Sequence, residues 1–162
     1  MTTESRTEER ARQGLEASGV AFEITRHGPV GSLEEAAAAR GLDPSQVIKT
    51  IVVRRAEDDF LFVLVPGGRT ISWPKLRALL GVSRLSLPDQ YVALELTGYE
   101  RGTITPFGSL TACPVVADHR IVEAGKVSIG AGGHGVAATV DGAELVRALN
   151  AQVADVTAED LR

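Results

Sequence analysis

Cysteine, lysine and aromatic residues are scarce in this sequence. A single cysteine, Cys113, cannot form an intramolecular disulfide, which excludes a fold stabilised by its own disulfides and is typical of a reducing compartment. Because Cys113 precedes Pro114 and an apolar run, its position favours a buried small side chain over a nucleophile. No apolar run approaches the roughly 20 residues that span a bilayer, and no hydrophobic segment follows the charged N-terminus. We therefore expect a cytoplasmic protein without a membrane segment.

The common catalytic and cofactor-binding motifs are also missing. His27, His119 and His134 are far apart, and the sequence has no paired histidines or cysteine cluster of the kind that holds a metal ion. There is no G-x-S-x-G sequence of a serine hydrolase and no phosphate-binding loop of the Walker type. The glycine-rich run 130–135 lacks the strand, helix and acidic residue of a dinucleotide-binding fingerprint. The sequence therefore predicts no metal ion and no cofactor.

Charge is distributed unevenly along the chain. Its 162 residues, 44% of them apolar, suit one globular domain. A formal net charge of -4 argues against nonspecific coating of nucleic acid, but residues 49–101 sum to +2 while the segments before and after each sum to -3. The central third could form a basic face that contacts phosphates, or its arginines could simply be solvated. Both interpretations stay open at this point.

The spacing of apolar and helix-capping residues predicts one α/β domain. The predicted helices are 5–18, 32–40, 73–80, 88–96 and 141–150, and the predicted strands are 20–25, 47–55, 60–65, 82–87, 115–116, 127–130 and 136–140. The acidic residues 57–59 form a turn, so the strands on either side should pair as an antiparallel hairpin. Because residues 60–65 are apolar on both faces, this hairpin should lie in the centre of a sheet or barrel.

Lys49 lies within a strand whose other residues are mostly apolar, a pattern typical of a buried strand. On strand 47–55, Lys49 shares a face with Ile51 and Val53, because side chains alternate along a strand. A charged amine on an apolar face costs free energy unless it is paired, has a shifted pKa or lines a cavity. The alternative is that Lys49 begins the strand and extends its ammonium to water. Three lysines against fourteen arginines hint that a retained lysine serves as a compact, mobile ammonium.

A second unusual segment is the loop 97–108, which contains three glycines, one proline and two aromatic residues. This density predicts a backbone that is held in particular dihedral angles and exposed at close range. Together with Lys49, the loop could hold an anionic or ester-bearing ligand through main-chain amides and one ammonium.

Three motifs in this order resemble the YbaK/ProX family, the free-standing editing domains related to the insertion domain of bacterial prolyl-tRNA synthetase. They are Ile48-Lys49-Thr50 before a β-hairpin, Leu96-Thr97-Gly98-Tyr99 followed by Gly102-x-x-x-Pro106-Phe107-Gly108, and the late segment Gly132-Gly133-His134-Gly135. The resemblance implies a single α/β domain in which a mixed, mostly antiparallel sheet curves into a barrel-like core with flanking helices. It divides the chain into an N-terminal helix (1–19), the editing domain (20–150) and a C-terminal tail or edge strand (151–162).

The resemblance also implies an activity, the hydrolysis in trans of the ester of a mischarged aminoacyl-tRNA. Lys49 and Gly102 match the family's essential lysine and its G-x-x-x-P loop, and they are the predicted catalytic residues. Lys49 could bind the 3′-terminal nucleotide or stabilise charge at the ester, while amides around Gly102 orient the carbonyl or the attacking water. The predicted substrate-binding residues are His27, Thr50, Thr97, Gly98, Tyr99, Thr103, Pro106, Gly133 and His134.

Two departures from the family pattern leave the substrate open. Cysteine-selective members carry a tyrosine where this chain has Arg26-His27, and some members carry an acidic residue where it has Val136-Ala137. The amino acid removed could therefore be alanine, cysteine, serine or threonine, attached to tRNA-Pro or to another tRNA. His27 could line the pocket or cap the loop before Gly28-Pro29, and His134 is more readily a turn residue than a catalyst.

The predicted partner is the acceptor end of a mischarged tRNA, with a synthetase as a further candidate. A different class of function is also open: a non-catalytic module that binds a tRNA end or a nucleotide in association with a synthetase. The retained Lys49 and Gly102 favour catalysis, whereas the missing acidic residue at Ala137 favours the binding module.

Overall fold

Residues 4–161 are described by the computed structural model, and they form two β-sheets with helices packed on them. The helices are α1 (Arg6–Ser18), α2 (Leu33–Ala39), α3 (Trp73–Leu80), α4 (Gln90–Thr97), α5 (Arg120–Glu123) and α6 (Gly142–Ala148), with a 3-10 turn at Pro44–Gln46. The strands are β1 (Glu23–Arg26), β2 (Val47–Ala56), β3 (Asp59–Pro66), β4 (Arg69–Ile71), β5 (Val115–Asp118), β6 (Lys126–Gly130), β7 (Val136–Asp141), β8 (Gln152–Ala154) and β9 (Thr157–Glu159). Residues 1–3 and 162, which belong to the predicted terminal segments, lie outside the described residues. None of the described helices is long and apolar enough to cross a membrane.

The larger sheet has seven strands in the order β1-β7-β6-β2-β3-β5-β8. β2 and β3 form the predicted antiparallel hairpin in its centre, with Lys49 opposite Val65. β6 and β5 run parallel to the hairpin strands that they flank, and β4 and β9 form a separate antiparallel pair. This mixed sheet with flanking helices confirms the predicted single-domain α/β fold class.

Both faces of the central hairpin are buried, as the apolar pattern of residues 60–65 predicted. Phe62 packs in one apolar cluster together with Leu15 of α1, and Val63 packs in a second cluster together with Leu76 of α3. Burying a side chain of this size stabilises the fold by roughly 1.5–3 kcal/mol. The hairpin therefore carries β2, and with it Lys49, as a rigid central element.

Two segments differ from what the sequence pattern suggested. Residues 82–87 do not form the predicted strand: only Ser86 bridges to β2, at Arg54, and Leu87 is 58% exposed instead of packing in the core. Residues 151–162 contain β8 at the edge of the larger sheet and β9 beside β4, so the alternative of an edge strand is the one observed. The sequence analysis missed β4 and α5, because elements of three or four residues are too short to show a period.

Cys113 is half-buried, not fully buried as expected, and its thiol contacts the main-chain oxygen of Thr111. Burial raises the pKa of the thiol, with the charge of Asp59 acting in the same direction. Because the thiolate is the reactive form of cysteine, a raised pKa disfavours Cys113 as a nucleophile.

Candidate active site

A cleft of about 900 Å³ lies along one edge of β2. On this edge β2 pairs with β6 only at Val47 and Ile48, and its next partner is Ser86, which bridges to Arg54. Residues 49–53 therefore pair with β3 on the opposite edge but have no strand beside them on the cleft edge among the described residues. The cleft is lined by Arg40, residues 47–52, residues 87–91 with Ala93, and Arg101, Gly102, Ile104 and Gly130. Both predicted catalytic residues therefore line the same cleft.

Lys49 extends from β2 with an exposed side chain. It lies on the sheet face of Ile51 and Val53, as the alternation predicted. Its Nζ donates a hydrogen bond of 3.3 Å to the main-chain oxygen of Arg69, and the described residues offer it no carboxylate. Because the lysine side chain is long and flexible, it can exchange this one weak bond for a ligand in the cleft.

The hydroxyl of Thr50 is buried, yet it has no hydrogen-bond partner within residues 4–161. Thr50 follows Lys49 on β2, faces the opposite side of the strand and lines the cleft. Leaving a buried hydroxyl without a partner costs roughly 1–3 kcal/mol. A buried polar group of this kind requires an explanation, and a rotation of the side chain that exposes the hydroxyl to a ligand in the cleft would supply the missing bond.

The loop 97–108 contributes Arg101, Gly102 and Ile104 to the cleft lining, and none of these three main-chain N–H groups has an acceptor in the described part of the chain. Gly102 has a φ of +89°, in the left-handed region that favours glycine. The main-chain oxygen of Glu100 accepts hydrogen bonds from the N–H and the hydroxyl of the buried Thr103, at 2.9 and 2.8 Å. These two bonds hold the turn around Gly102. Pro106 is half-buried further along the loop and, like Thr103, lies outside the cleft lining.

Thr97, Gly98 and Tyr99 lie outside the cleft lining and hold the loop in place. The buried hydroxyl of Tyr99 donates a hydrogen bond of 2.7 Å to the main-chain oxygen of Phe107, and the guanidinium of Arg10 lies 4.5 Å from the centre of its ring. The hydroxyl of Thr97 accepts from the N–H of Tyr99 at 3.0 Å, and Gly98 ends α4 with a φ of +78°. Burial raises the pKa of Tyr99, although Arg10 acts in the opposite direction. A direct role for these three residues in binding substrate stays a prediction.

The late glycine-rich segment lies beside the same loop. A Cβ added at Gly102 would lie 3.7 Å from Cε1 of His134, whose Nε2 is 3.2 Å from a carboxylate oxygen of Glu100. His134 is exposed, and Gly133 packs so closely on α1 that an added Cβ would lie 2.6 Å from Oε1 of Glu8. Neither residue lines the cleft, and their role in binding stays a prediction.

His27 does not line the cleft, but it accepts a hydrogen bond from Arg40, which does. Arg40 was not among the residues predicted from the sequence. Nε of Arg40 donates a hydrogen bond of 3.2 Å to Nε2 of His27, which leaves Nδ1 of His27 to donate to the main-chain oxygen of Gly28 at 2.8 Å. Nη1 of Arg40 donates to the hydroxyl of the fully buried Ser128, also at 3.2 Å. Burial lowers the pKa of Arg40. Arg40 follows an alanine-rich helix, where a basic residue is favourable for any helix, so no local signal marked it.

A second depression, of about 450 Å³, lies on the other side of the bridge between Arg54 and Ser86. Its lining includes Arg54, Arg55, Arg77 and Arg84, and we call it the arginine groove. Arg55 pairs with Asp59 at 3.0 Å, whereas Arg77 and Arg84 have no ion-pair partner in residues 4–161. The basic central third of the sequence therefore places four arginines in one groove beside the cleft.

Similarity to known proteins indicates the family of this chain. A family model described as an aminoacyl-tRNA editing domain matches residues 27–148. Prolyl-tRNA ligases are similar over part of the chain: that of Bacillus cytotoxicus is 31% identical over 90 residues, and that of Desulforamulus reducens is 33% identical over 98 residues. These stretches cover 56% and 60% of this chain but only 16% and 17% of the ligases.

Solved structures match over nearly the whole chain. A crystal structure described as a candidate trans-editing enzyme for prolyl-tRNA synthetase has a TM-score of 0.88 and 25% identity, and the match covers 96% of this chain and 99% of that one. The hypothetical protein APE2540 has a TM-score of 0.83 and 27% identity over 92% of this chain and 99% of its own. The family predicted from three sequence motifs is confirmed. Because the family model spans most of the sequence, this chain belongs to the aminoacyl-tRNA editing domain family.

Proposed function

We propose that this protein is an aminoacyl-tRNA deacylase that acts in trans, in the cytoplasm, and hydrolyses the ester of a tRNA charged with the wrong small amino acid. Membership of the editing family supports the reaction, and the similarity to prolyl-tRNA ligases supports tRNA-Pro as the tRNA. The observation that carries the proposal is the convergence in one cleft of Lys49, the unpartnered hydroxyl of Thr50 and the free amide of Gly102.

The three groups suit different parts of an ester hydrolysis. Water attacks the carbonyl carbon, the bond to the ribose oxygen breaks, and the products are a free amino acid and a ribose hydroxyl. The free N–H of Gly102 can donate to the carbonyl oxygen as negative charge develops there, and the hydroxyl of Thr50 can orient the substrate or the attacking water. The mobile ammonium of Lys49 supplies positive charge to the nucleotide or to the reacting ester.

Alanine, cysteine, serine and threonine remain the proposed amino acids. We propose that the site selects the amino acid mainly by its size. A size filter of this kind discriminates only about 10- to 200-fold per methylene. One enzyme could therefore hydrolyse more than one small aminoacyl ester.

The arginine groove supports tRNA as the substrate. The groove lies beside the cleft and shares β2 with it, so a nucleic acid whose 3′ end enters the cleft could lay its phosphates along the groove. Arginine suits this task because its planar guanidinium can bind phosphate through two parallel hydrogen bonds. The net charge of the chain is -4, yet the chain can bind nucleic acid here, because the local electrostatic potential at the groove governs contacts with phosphates.

The proposal is tested by measuring hydrolysis of tRNA charged with alanine, cysteine, serine or threonine. The wild type should hydrolyse one or two of these esters, and Lys49→Ala should reduce that rate about a hundredfold or more while leaving the fold intact, as expected for loss of a charged contact to the transition state. Lys126→Ala is the matched control, because Lys126 begins β6 and lies outside the cleft lining. Equal background decay of all four esters with folded wild type and with Lys49→Ala would refute the deacylase.

One observation favours the non-catalytic binding module as a second candidate. The ammonium of Lys49 donates to Arg69 and not to a group of the Gly102 loop, and Ala137, where some relatives carry an acid, is fully buried. A binding module would bind uncharged and charged tRNA-Pro with the same affinity and would leave the ester of the charged tRNA intact. Binding measured alongside the hydrolysis panel separates the two functions.

A further inference from the structure

We propose that Arg40 binds the phosphate of the 3′-terminal nucleotide of the substrate, the nucleotide whose ribose carries the aminoacyl ester. This inference rests on the proposed function in assuming a nucleotide substrate in the cleft. It names Arg40 as a phosphate-binding residue, which neither the family motifs nor the predicted site residues include.

The hydrogen bonds of Arg40 leave most of its guanidinium free. Nε donates to His27 and Nη1 to Ser128, and both acceptors are neutral. A guanidinium has five N–H donors, so three remain without an acceptor in the described part of the chain. No carboxylate within residues 4–161 pairs with Arg40, although the side chain is half-buried and burial alone lowers its pKa.

A half-buried charge without a counter-ion destabilises the folded protein unless a ligand compensates for it. Arg12, Arg26 and Arg120 have carboxylate partners, namely Glu4, Glu8 and the buried Asp118. The half-buried Arg10 and Arg69 have none, but each donates to main-chain oxygens. Arg40 has neither a carboxylate nor a main-chain oxygen as acceptor, and it lies in the lining of the cleft, where an anionic ligand can reach it. The missing counter-ion is therefore best explained as part of the substrate.

The charged side chains that line the cleft, taken together, favour binding of an anion. Arg40, Lys49 and Arg101 line it, against a single carboxylate, Asp89. An oxygen of Asp89 accepts hydrogen bonds of 2.9 Å from the N–H groups of Tyr91 and Val92, so this carboxylate is engaged in capping α4. The cleft consequently carries net positive charge around an apolar lining.

The sheet register places Arg40 and Lys49 on the same side of β2. Ser128, which anchors Arg40, pairs in parallel with Val47, and residues paired in this way point to the same face. Lys49 is the next residue of β2 on that face. An anion held by Arg40 therefore lies beside the residue predicted to act on the ester, as the phosphate and the ester of one nucleotide require.

The test uses a stable analogue, 3′-alanylamino-3′-deoxyadenosine, with and without a 5′-phosphate. Its amide bond replaces the ester, so binding is measured by titration calorimetry without hydrolysis. Wild type should bind the phosphorylated form about tenfold to a hundredfold more tightly than the unphosphorylated form, as expected for a charge-assisted hydrogen-bonded contact. Arg40→Gln should remove most of this preference and leave the affinity for the unphosphorylated form nearly unchanged.

Two further variants control the experiment. Arg147→Gln removes one positive charge from α6, outside the cleft lining, and should keep the full phosphate preference. Arg40→Lys keeps the positive charge but lacks the planar guanidinium with its paired donors, so it should retain part of the phosphate preference. This variant also tests the inference if Arg40→Gln does not fold stably. Absence of a preference in wild type, or equal weakening of both analogues by Arg40→Gln, would overturn the inference. A wild type that prefers the phosphate but hydrolyses no ester would instead refute only the deacylase.

Discussion

The hydroxyl of Thr50 is the clearest sign, at the level of single residues, that the cleft is built for a ligand. A second buried threonine, Thr97, shows how this fold treats such a group when it has only a structural role: its hydroxyl donates to Ala93 and accepts from Tyr99. Both hydroxyl groups are buried, but only that of Thr97 has hydrogen-bond partners within residues 4–161. The comparison separates a hydroxyl whose hydrogen bonds the fold satisfies from one that we propose bonds to the substrate.

We predict that Thr50→Val leaves the free energy of unfolding unchanged or raises it, because valine fills nearly the same space without an unsatisfied hydroxyl. The same variant should lower kcat/KM for the ester about tenfold or more. Thr97→Val is the matched control and should lower the free energy of unfolding by about 1–2 kcal/mol. Denaturant unfolding and single-turnover deacylation check both effects. Full activity in Thr50→Val would exclude its hydroxyl from the reaction.

At the scale of elements, α1 packs against glycines of both glycine-rich segments, 97–108 and 130–135. A Cβ at Gly108 would lie 2.4 Å from the main-chain oxygen of Arg10, and one at Gly132 would lie 2.5 Å from that of Thr7. These glycines allow the helix to pack directly on both glycine-rich loops. A Cβ added at Gly102, in contrast, would lie no closer than 3.7 Å to any other atom, and Gly102 lines the cleft. Most of these glycines therefore allow α1 to pack closely, whereas Gly102 lines the cleft and is the glycine that we propose contacts the substrate.

We predict that Arg10→Ala weakens the attachment of α1 to the loop and lowers activity indirectly. Arg10 donates hydrogen bonds of 2.6 and 3.1 Å to the main-chain oxygens of Gly108 and Thr97 and stacks on Tyr99. Its loss should lower the free energy of unfolding by about 2 kcal/mol. Arg6→Ala, an exposed change on the same helix, should have little effect. Thermal unfolding and faster hydrogen exchange of loop amides 98–108 are the measurements, and unchanged exchange would contradict the prediction.

Asp118 fastens the C-terminal strands to the larger sheet. Its buried carboxylate pairs with Arg120 and accepts hydrogen bonds from the N–H of Val156 and the hydroxyl of Thr157. Burial by itself raises the pKa of Asp118, but the hydrogen bonds from Arg120, Thr157 and Val156 outweigh it, so the pKa is lowered on balance. The folded protein therefore gains stability from Asp118 above the unfolded-state pKa of about 4, and loses it as pH falls through the lower folded-state pKa.

We predict that Asp118→Asn lowers the free energy of unfolding near neutral pH by about 3 kcal/mol, because it leaves the donors of a buried carboxylate poorly matched. The variant should also lose less stability than wild type on acidification, since the group with the lowered pKa is gone. Denaturant unfolding at neutral and acidic pH measures both slopes. Parallel acid profiles for the two proteins would show that Asp118 does not contribute this pH dependence.

At the scale of the whole molecule, an acidic chain presents the arginine groove beside the cleft. Binding of tRNA in the arginine groove should release counter-ions from the nucleic acid and so depend on salt. We predict that the double variant Arg77→Gln/Arg84→Gln lowers the slope of log affinity against log salt by about 2, because each lost phosphate contact reduces it by about 1. Arg147→Gln should leave the slope unchanged. Fluorescence anisotropy with labelled tRNA measures the slopes, and an unchanged slope in the double variant would place the phosphates elsewhere.

Local sequence signals predicted the elements that now frame the site. Ser5 and Gly19 cap α1, Ser32 caps α2 and Asp89 caps α4, because such side chains satisfy main-chain groups within a few residues of themselves. The prediction failed at residues 82–87, where the residues have strand propensity but only one of them finds a partner. Strand formation depends on neighbours that are distant in sequence, and a propensity does not supply them.

The sequence alone determined the family, the central hairpin and the face of Lys49, because motif order and the alternation of side chains are properties of the chain itself. Only the tertiary structure decided that Lys49 and Gly102 line one cleft and that Thr50 lacks a partner there. It also brought Arg40 to Ser128, 88 residues away, without a carboxylate to neutralise it. Whether a polar group is satisfied depends on every segment packed around it, so folding has to bring those segments together before an unsatisfied group can mark a site.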